Sequence, residues 1–233
     1  RDGAVWSALA EAVFTDPEDL PLRVSEVHYH PRPPPAGSPF DEDEYELIEI
    51  LNAGTGDASL SGVRLEGGVE FDFAAAEVSR LAPGERLVIV ENVDAFVSRY
   101  NIAGITIAGE YAGKLSNEGE RLVLRGPLGE TLLDFRYEAF WYPETDGGGQ
   151  SLVIADAGTS SASWGSRETW RPSASIDGSP GEPEPGEGGR GLQLPGDSNG
   201  DGELDLADAS SLLFRRFGGV AMNLPCAGDG IGE

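Results

Sequence analysis

The sequence predicts an all-β protein built as a β-sandwich, followed by a small C-terminal loop–helix unit. Roughly eight or nine short segments rich in β-branched and aromatic residues lie between residues 20 and 178, separated by turns that contain glycine or proline. Strands and helices do not alternate along the chain, which argues against a doubly wound nucleotide-binding fold. A glycine- and proline-rich segment after the last strand separates the C-terminal unit from the sandwich.

Each predicted strand ends at a recognisable turn signal. The first, 22–30, stops at a run of prolines. Segment 61–73 predicts two short strands around a Gly-Gly pair, which is a hairpin signal. Segment 85–91 has the consecutive apolar residues of a strand covered on both faces, and the spacing of valine and phenylalanine in 91–100 predicts a helix. The remaining predicted strands are 44–52, 105–109, 119–126, 130–137 and 150–156.

The composition divides the chain into separate parts. Residues 178–196 are more than half glycine and proline, with glutamates between them. Such a stretch cannot bury enough apolar surface to offset the entropy lost on ordering it. We therefore predict five segments: a remnant of an upstream domain or an N-terminal strand at 1–19, the sandwich at 20–178, an acidic Pro/Gly linker at 179–195, the loop–helix unit at 196–219, and a truncated connection at 220–233.

The charge balance limits the expected partners. The formal net charge is −25, with 16 lysine and arginine residues against 41 aspartate and glutamate residues. Nucleic-acid binding needs basic side chains that replace counterions on the phosphates, so we expect no nucleic-acid partner. No apolar run reaches the length of a bilayer, which predicts no membrane insertion. The single cysteine, Cys226, permits neither an internal disulfide nor a cysteine-based zinc site.

Four stretches of the sandwich carry a resemblance to a known family. They are VSEVHYHP (24–31), YELIEILNAG (45–54) with LSGVRL (60–65), KLSNEGERLVL (114–124) and WYPETDGGGQSL (141–152). In this order they resemble the bacterial branch of the lamin tail domain, an immunoglobulin-like β-sandwich, over residues 20–178. The resemblance implies no enzymatic activity and an extracellular or cell-surface location in a secreted multidomain bacterial protein. The chromatin contacts of eukaryotic members are not expected, because DNA repels a chain of net charge −25.

Candidate chemistry within the sandwich centres on two histidines and an acidic run. His28 and His30 lie two apart on a predicted strand and so share a face. With Glu26 they could form a metal or acid–base site; the alternative is a pair of strand-end imidazoles beside a proline-rich turn. Residues 41–46 hold five carboxylates, which could bind calcium or form a solvated acidic loop. With two histidines on one strand, a Ser–His–Asp triad has little support.

The most specific motif lies in the C-terminal unit. Calcium takes about six to eight oxygen ligands from a flexible loop. Residues 197–208 offer donors at loop positions one, three, five, seven, nine and twelve: Asp197, Asn199, Asp201, Glu203, Asp205 and Asp208. Glu203 would use its backbone carbonyl, and Asp205 would act directly or through water. Gly202 occupies position six, where the sharp turn needs glycine. The sequence therefore predicts a Ca²⁺ site.

The rest of this unit resembles a dockerin repeat. An aspartate replaces the usual glutamate at loop position twelve, and the segment LADASSLLFRRFGG (206–219) follows the dockerin pattern. The resemblance implies a cohesin-like or other cell-surface protein as partner. A dockerin has two repeats and one is complete here, which weakens that expectation. The apolar stripe of Leu206, Leu213 and Phe217 would otherwise lie in water, so self-association through it is an alternative contact.

Together these features predict a non-catalytic extracellular module for attachment or assembly, with a calcium-stabilised tail. The alternative is a carbohydrate-binding or hydrolytic domain that uses Trp141, Tyr142 and the acidic loop 41–46. The two hypotheses differ in where the aromatic side chains lie. An exposed flat row of aromatic rings would favour sugar binding, whereas tryptophans buried in the sandwich would favour a scaffold.

Overall fold

A computed structural model describes residues 21–185, and β-strands make up most of the regular structure in this range. The strands are β1 (Leu22–His28), β2 (Leu47–Asn52), β3 (Ala58–Ser59), β4 (Arg64–Gly67), β5 (Val69–Asp72), β6 (Arg80–Leu81), β7 (Arg86–Val90), β8 (Ile107–Glu110), β9 (Ala112–Gly113), β10 (Arg121–Arg125), β11 (Thr131–Arg136), β12 (Leu152–Ile154) and β13 (Trp170–Pro172). The α-helix α1 spans Val93–Arg99, and single 3₁₀ turns occupy Asp43–Tyr45, Phe73–Ala75, Ala139–Trp141, Pro143–Thr145, Ser161–Ser163 and Arg167–Thr169. The predicted all-β class is confirmed.

Most of the strands belong to two larger sheets. The six-stranded sheet has the order β13-β12-β1-β2-β7-β8, and the five-stranded sheet has the order β11-β10-β4-β5-β9. Strands β3 and β6 form a separate two-stranded pair. Neighbouring strands in the described range run antiparallel, except that β7 and β8 are parallel. The chain passes from β8 directly into β9, so one edge of the six-stranded sheet continues into the five-stranded sheet.

One apolar core lies between the inner faces of the two sheets. Its buried members from the six-stranded sheet include Val27, Ile48 and Ile89, and those from the five-stranded sheet include Leu65, Leu122 and Phe135. Every second residue along a strand points to the same face, so the alternation in β10 and β11 supplies this layer. Trp170 of β13 stacks on Phe135 of β11 with ring centroids 5.2 Å apart, which joins the two sheets.

The six-stranded sheet is also covered on its outer face. Val88 and Val90 of β7 pack with Phe96 of helix α1 in a second apolar cluster. The helix begins where the side chain of Asn92 accepts a hydrogen bond from the Ala95 N–H at 3.0 Å. The prediction that segment 85–91 is covered on both faces is confirmed, and so is the helix within 91–100.

A coil segment lies over another part of this outer face. Residues 174–185, which we call the strap, follow β13 and contribute Glu184, whose exposed fraction is 5%. Residues 179–185 belong to the sequence-predicted linker, yet they contact the sandwich. Composition does not reveal this contact, because it depends on side chains far away in the sequence. The predicted segment 1–19 and the C-terminal segments from 186 onward lie outside the described residues.

Candidate functional site

The structure does not bring Glu26, His28 and His30 into one site. Glu26 and His28 lie on β1 on the face turned away from the core, and their exposed fractions are 1% and 0%. The register of β1 with β2 shifts between Val24 and Glu26. His30 lies beyond the end of β1 and reaches the surface, with 23% of its side chain exposed. The sequence-predicted trio is therefore divided between a buried position and a surface position.

A pair of buried carboxylates occupies the outer face of the six-stranded sheet. Glu26 of β1 and Glu49 of β2 are opposite each other in the ladder. The Ser151 hydroxyl donates to Glu26 Oε1 at 2.5 Å, and the Ser179 N–H donates to the same oxygen at 3.2 Å. Burial, followed by the neighbouring Glu49 carboxylate, raises the pKa of Glu26 well above its usual value.

Glu49 receives donors from three different segments. The Gly181 N–H of the strap donates to Oε2 at 2.6 Å, and the Ser25 hydroxyl donates to Oε1 at 2.7 Å. The Arg86 guanidinium of β7 approaches Oε1 at 3.1 Å, and 9% of its side chain is exposed. Glu49 therefore holds the strap and β7 together through one buried carboxylate.

A third carboxylate fastens the strap from its own side. Glu184 accepts hydrogen bonds from Arg171 Nη1 at 3.0 Å, from the Ala174 N–H at 3.0 Å and from the Ser179 hydroxyl at 2.6 Å. Together with the donors to Glu26 and Glu49, these contacts fix the strap over the outer face. The buried carboxylates therefore act as structural anchors, and a substrate would reach them only if the strap moved.

His28 is buried near these carboxylates but does not hydrogen-bond to them. Neither ring nitrogen of His28 has a hydrogen-bond partner among the described residues. Burial lowers the pKa of His28 to about 3, with a smaller contribution of the same sign from Arg99. The ring is therefore neutral at physiological pH and packs as a polar core residue.

His30 belongs to a surface group that the sequence did not predict. Its Nδ1 lies 2.6 Å from Asp146 Oδ1, and its Nε2 lies 3.9 Å from Glu42 Oε1. Asp146 is 116 positions away from His30 in the sequence, so no local sequence motif predicts this contact. Gly147, at φ +75°, lies against the imidazole, where a Cβ would come within 3.2 Å of Cε1.

The acidic loop 41–46 does not converge on one point. Asp43 pairs with Lys114 at 3.0 Å, and Glu44 Oε1 accepts from Asn92 Nδ2 at 2.9 Å. Glu46 turns inward and is 1% exposed. Within residues 21–185, no group of three or more histidine, cysteine, aspartate and glutamate side chains is placed to hold a metal ion. The calcium hypothesis for this loop gains no support from these positions.

Glu46 is the second buried carboxyl group with a strongly altered pKa. Its Oε2 accepts hydrogen bonds from the Tyr111 hydroxyl at 2.8 Å and the Leu115 N–H at 2.9 Å. Its Oε1 is buried and has no hydrogen-bond partner among the described residues. Burial raises the pKa of Glu46 to about 8, and the charges of Asp43 and Glu91 act in the same direction. Glu46 is therefore protonated at neutral pH.

The aromatic side chains of the sandwich are mostly internal. Trp141, Trp164 and Trp170 have exposed fractions of 5%, 0% and 1%. Tyr142 is half-buried, and its hydroxyl donates to the Trp170 carbonyl at 2.8 Å. Phe140 is the one exposed aromatic residue between positions 21 and 185, with an exposed fraction of 78%. The described surface thus lacks a row of aromatic rings.

Two surface cavities lie away from all these residues except Arg86. The larger, about 350 Å³, is lined by Asn52 at the end of β2, Arg86 at the start of β7 and Asp156, together with neighbouring loop residues. The smaller, about 230 Å³, contains Arg64, Glu66 and Arg125. The three arginines in these cavities are already paired with carboxylates: Arg86 with Glu49, Arg125 with Glu66 and Arg64 with Asp72.

The predicted calcium ligands Asp197, Asn199, Asp201, Glu203, Asp205 and Asp208 lie outside the described residues, as do Leu206, Leu213 and Phe217. Among the described residues, no helix is long and apolar enough to cross a membrane. Comparisons with known proteins find neither a matching family model nor a similar curated protein.

Proposed function

We propose that this chain is a non-catalytic attachment or assembly module of an extracellular bacterial protein. The burial of Trp141, Trp164 and Trp170 carries this proposal, because tryptophans in the core stabilise a scaffold and cannot stack on a sugar. The titratable groups support it as well. Glu26 and Glu49 serve as anchors for the strap, and His28 has no hydrogen-bond partner in the described range.

We further propose that the sandwich is of the immunoglobulin-like type found in lamin tail domains. Two mainly antiparallel sheets around one core support this assignment. Four stretches between residues 24 and 152 carry the family resemblance described above. The parallel pair of β7 and β8 at one edge is an addition to a purely antiparallel sandwich.

The attachment function itself is assigned to the C-terminal unit. Residues 197–208 would bind Ca²⁺, and the following helix would then present its apolar stripe to a cohesin-like partner. The predicted helix would be short enough to need the ion, because isolated short helices are marginal in water. Calcium binding would therefore supply part of the folding free energy of this unit.

Calorimetric titration of the full chain with Ca²⁺ tests the tail directly. We expect heat of binding from the wild type and none from Asp197→Ala or Asp208→Ala. The matched control is Asp41→Ala in the acidic loop of the sandwich, which should bind calcium as the wild type does. Equal heats from all four proteins would contradict a calcium site at 197–208. Loss of heat in the Asp41→Ala control alone would mean that calcium binds in loop 41–46 instead.

Surface plasmon resonance against a panel of cohesin domains tests attachment. We expect binding in calcium that disappears in chelator and in Asp197→Ala. A glycan array probed with the same protein tests the alternative that uses Trp141, Tyr142 and loop 41–46. Glycan binding that persists in chelator and disappears in Tyr142→Ala would favour a carbohydrate-binding domain and contradict the proposed function.

A further inference from the structure

The imidazole of His30 is held in one orientation by its surroundings. Asp146 lies 2.6 Å from Nδ1, and the Gly147 N–H donates to the His30 backbone carbonyl at 3.1 Å. The loop that carries Asp146 is itself anchored, because Thr145 Oγ1 lies 2.9 Å from the buried Tyr29 hydroxyl. The ring can therefore turn very little without breaking contacts of the fold.

This arrangement leaves the other ring nitrogen of His30 as a Lewis base. An ionised carboxylate only accepts hydrogen bonds, so Asp146 requires Nδ1 to carry the proton. In the neutral ring the lone pair then lies on Nε2, on the opposite edge. A carboxylate that orients a histidine in this way is the usual outer-shell partner of a histidine bound to a metal.

Glu42 is placed to coordinate the same metal ion as that nitrogen. Its Oε1 lies 3.9 Å from His30 Nε2, and 40% of its side chain is exposed. Zinc lies about 2.0–2.2 Å from histidine nitrogen and carboxylate oxygen, so two ligands at a tetrahedral angle are about 3.4 Å apart. A shift of roughly half an ångström by the exposed Glu42 side chain would therefore create the spacing that zinc requires.

We propose that a divalent transition-metal ion of the zinc class binds between His30 Nε2 and Glu42, with Asp146 as the positioning residue and water completing the coordination. Imidazole nitrogen suits Zn²⁺, Ni²⁺ and Cu²⁺, whereas Ca²⁺ and Mg²⁺ prefer oxygen ligands. The site is distinct from the predicted calcium loop in its ligands, its place in the chain and its ion. Two protein ligands make it a weak, solvent-accessible site.

The test is a titration of the full chain with ZnCl₂ in excess Ca²⁺, which saturates sites made of oxygen ligands. All proteins carry Cys226→Ser, because a thiolate would bind zinc by itself. We expect a one-to-one binding event and a large shift of the His30 Nε2 resonance in ¹⁵N spectra, with a smaller shift at Nδ1. His30→Ala should abolish the event. Asp146→Asn should weaken it by about 10–100-fold, the usual cost of losing an outer-shell partner.

Asp43→Ala is the matched control. Asp43 lies beside Glu42 on the same loop but pairs with Lys114, so its loss should leave zinc affinity within about twofold. Near-ultraviolet circular dichroism establishes that each variant is folded. The same zinc affinity in wild type and folded His30→Ala would overturn the proposal, as would the absence of a zinc-binding event in excess Ca²⁺.

Discussion

The two large sheets differ in how they treat their outer faces. The outer face of the five-stranded sheet is exposed to solvent and carries ion pairs between neighbouring strands. Arg121 on β10 forms a two-bond contact with Asp134 on β11, at 2.7 and 2.6 Å, and the two side chains are 59% and 38% exposed. Such a face needs only solvation, and its charges add little to stability.

The six-stranded sheet buries both faces, although its outer face carries charged groups. Glu26 and Glu49 are 1% and 2% exposed, and backbone N–H groups of the strap donate hydrogen bonds to both of them. A buried carboxylate loses its hydration and must recover it from donors in the protein. The difference between the sheets shows that charged residues on an outer face either stay hydrated or need donors within the protein, depending on whether a segment far away in the sequence covers that face.

The largest effect should follow from breaking the buried ion pair. We expect Glu49→Ala to lower the free energy of unfolding by about 3–5 kcal/mol, because it leaves Arg86 buried without its carboxylate and removes the acceptor of the Gly181 N–H. Urea unfolding at pH 7, followed by tryptophan fluorescence, measures this change. A loss below about 1 kcal/mol would mean that the covered face behaves like an open one.

The second prediction concerns pH. The pKa of Glu46 is raised to about 8, so the folded state holds a proton that the unfolded chain releases near its ordinary pKa of 4.5. Stability from this group is fully present below pH 4.5 and is lost as pH rises through 8, by up to about 1.4 kcal/mol per pH unit. The raised pKa of Glu26 acts in the same direction. The urea concentration at the midpoint of unfolding should therefore decrease as the pH is raised from 5 to 8.

Glu46→Gln isolates the contribution of Glu46 to this fall. The amide keeps an acceptor for the Tyr111 hydroxyl and the Leu115 N–H and cannot ionise. Its urea midpoint should be less sensitive to pH than that of the wild type. Glu70→Gln, on the solvent-exposed face of β5, serves as control and should retain the wild-type slope. Parallel slopes in wild type and Glu46→Gln would contradict a buried, protonated Glu46.

The sequence predicted the strands far better than it predicted the contacts between distant segments. Segments 119–126 and 130–137 were predicted as strands from their composition and the turn residues between them, and β10 and β11 lie within them. Strands β3, β6, β9 and β13 were missed, since two or three residues do not establish a period. The same limit applies to function: His30 was a candidate from the start, but Asp146 joins it only through the fold.

The third prediction perturbs the cover of the six-stranded sheet. Gly178 has φ +78°, and a Cβ there would collide with Glu26 Oε1. Gly178→Ala should therefore cost about 1–3 kcal/mol and weaken the hydrogen-exchange protection of the Ser179 and Gly181 amides. Gly84→Ala is the matched control, because its φ of +77° is nearly the same and nothing lies within 4 Å of the added Cβ.

The comparison of the two glycines separates backbone strain from the collision with Glu26. Gly84→Ala should cost about 1 kcal/mol, from the positive φ alone, and should leave the strap amides protected. If both variants lose the same stability and neither changes the exchange of Ser179, the strap does not depend on its fit over Glu26.

The smallest effect should come from the open face. We expect Asp134→Ala to change the free energy of unfolding by less than about 1 kcal/mol, although its two-bond contact with Arg121 is shorter than the Glu49–Arg86 contact. Both partners are hydrated, so water replaces the lost contact. The pKa of Asp134 is lowered, chiefly by its hydrogen bond to Arg121. The stabilisation from this pair should therefore be largest above the ordinary pKa of an aspartate and be lost in acid.

Measured beside Glu49→Ala in 0.05 M and 0.5 M salt, Asp134→Ala should become neutral at the higher salt while Glu49→Ala stays destabilising. An equal salt dependence of the two variants would show that cover by the strap does not set the energetics of the buried face.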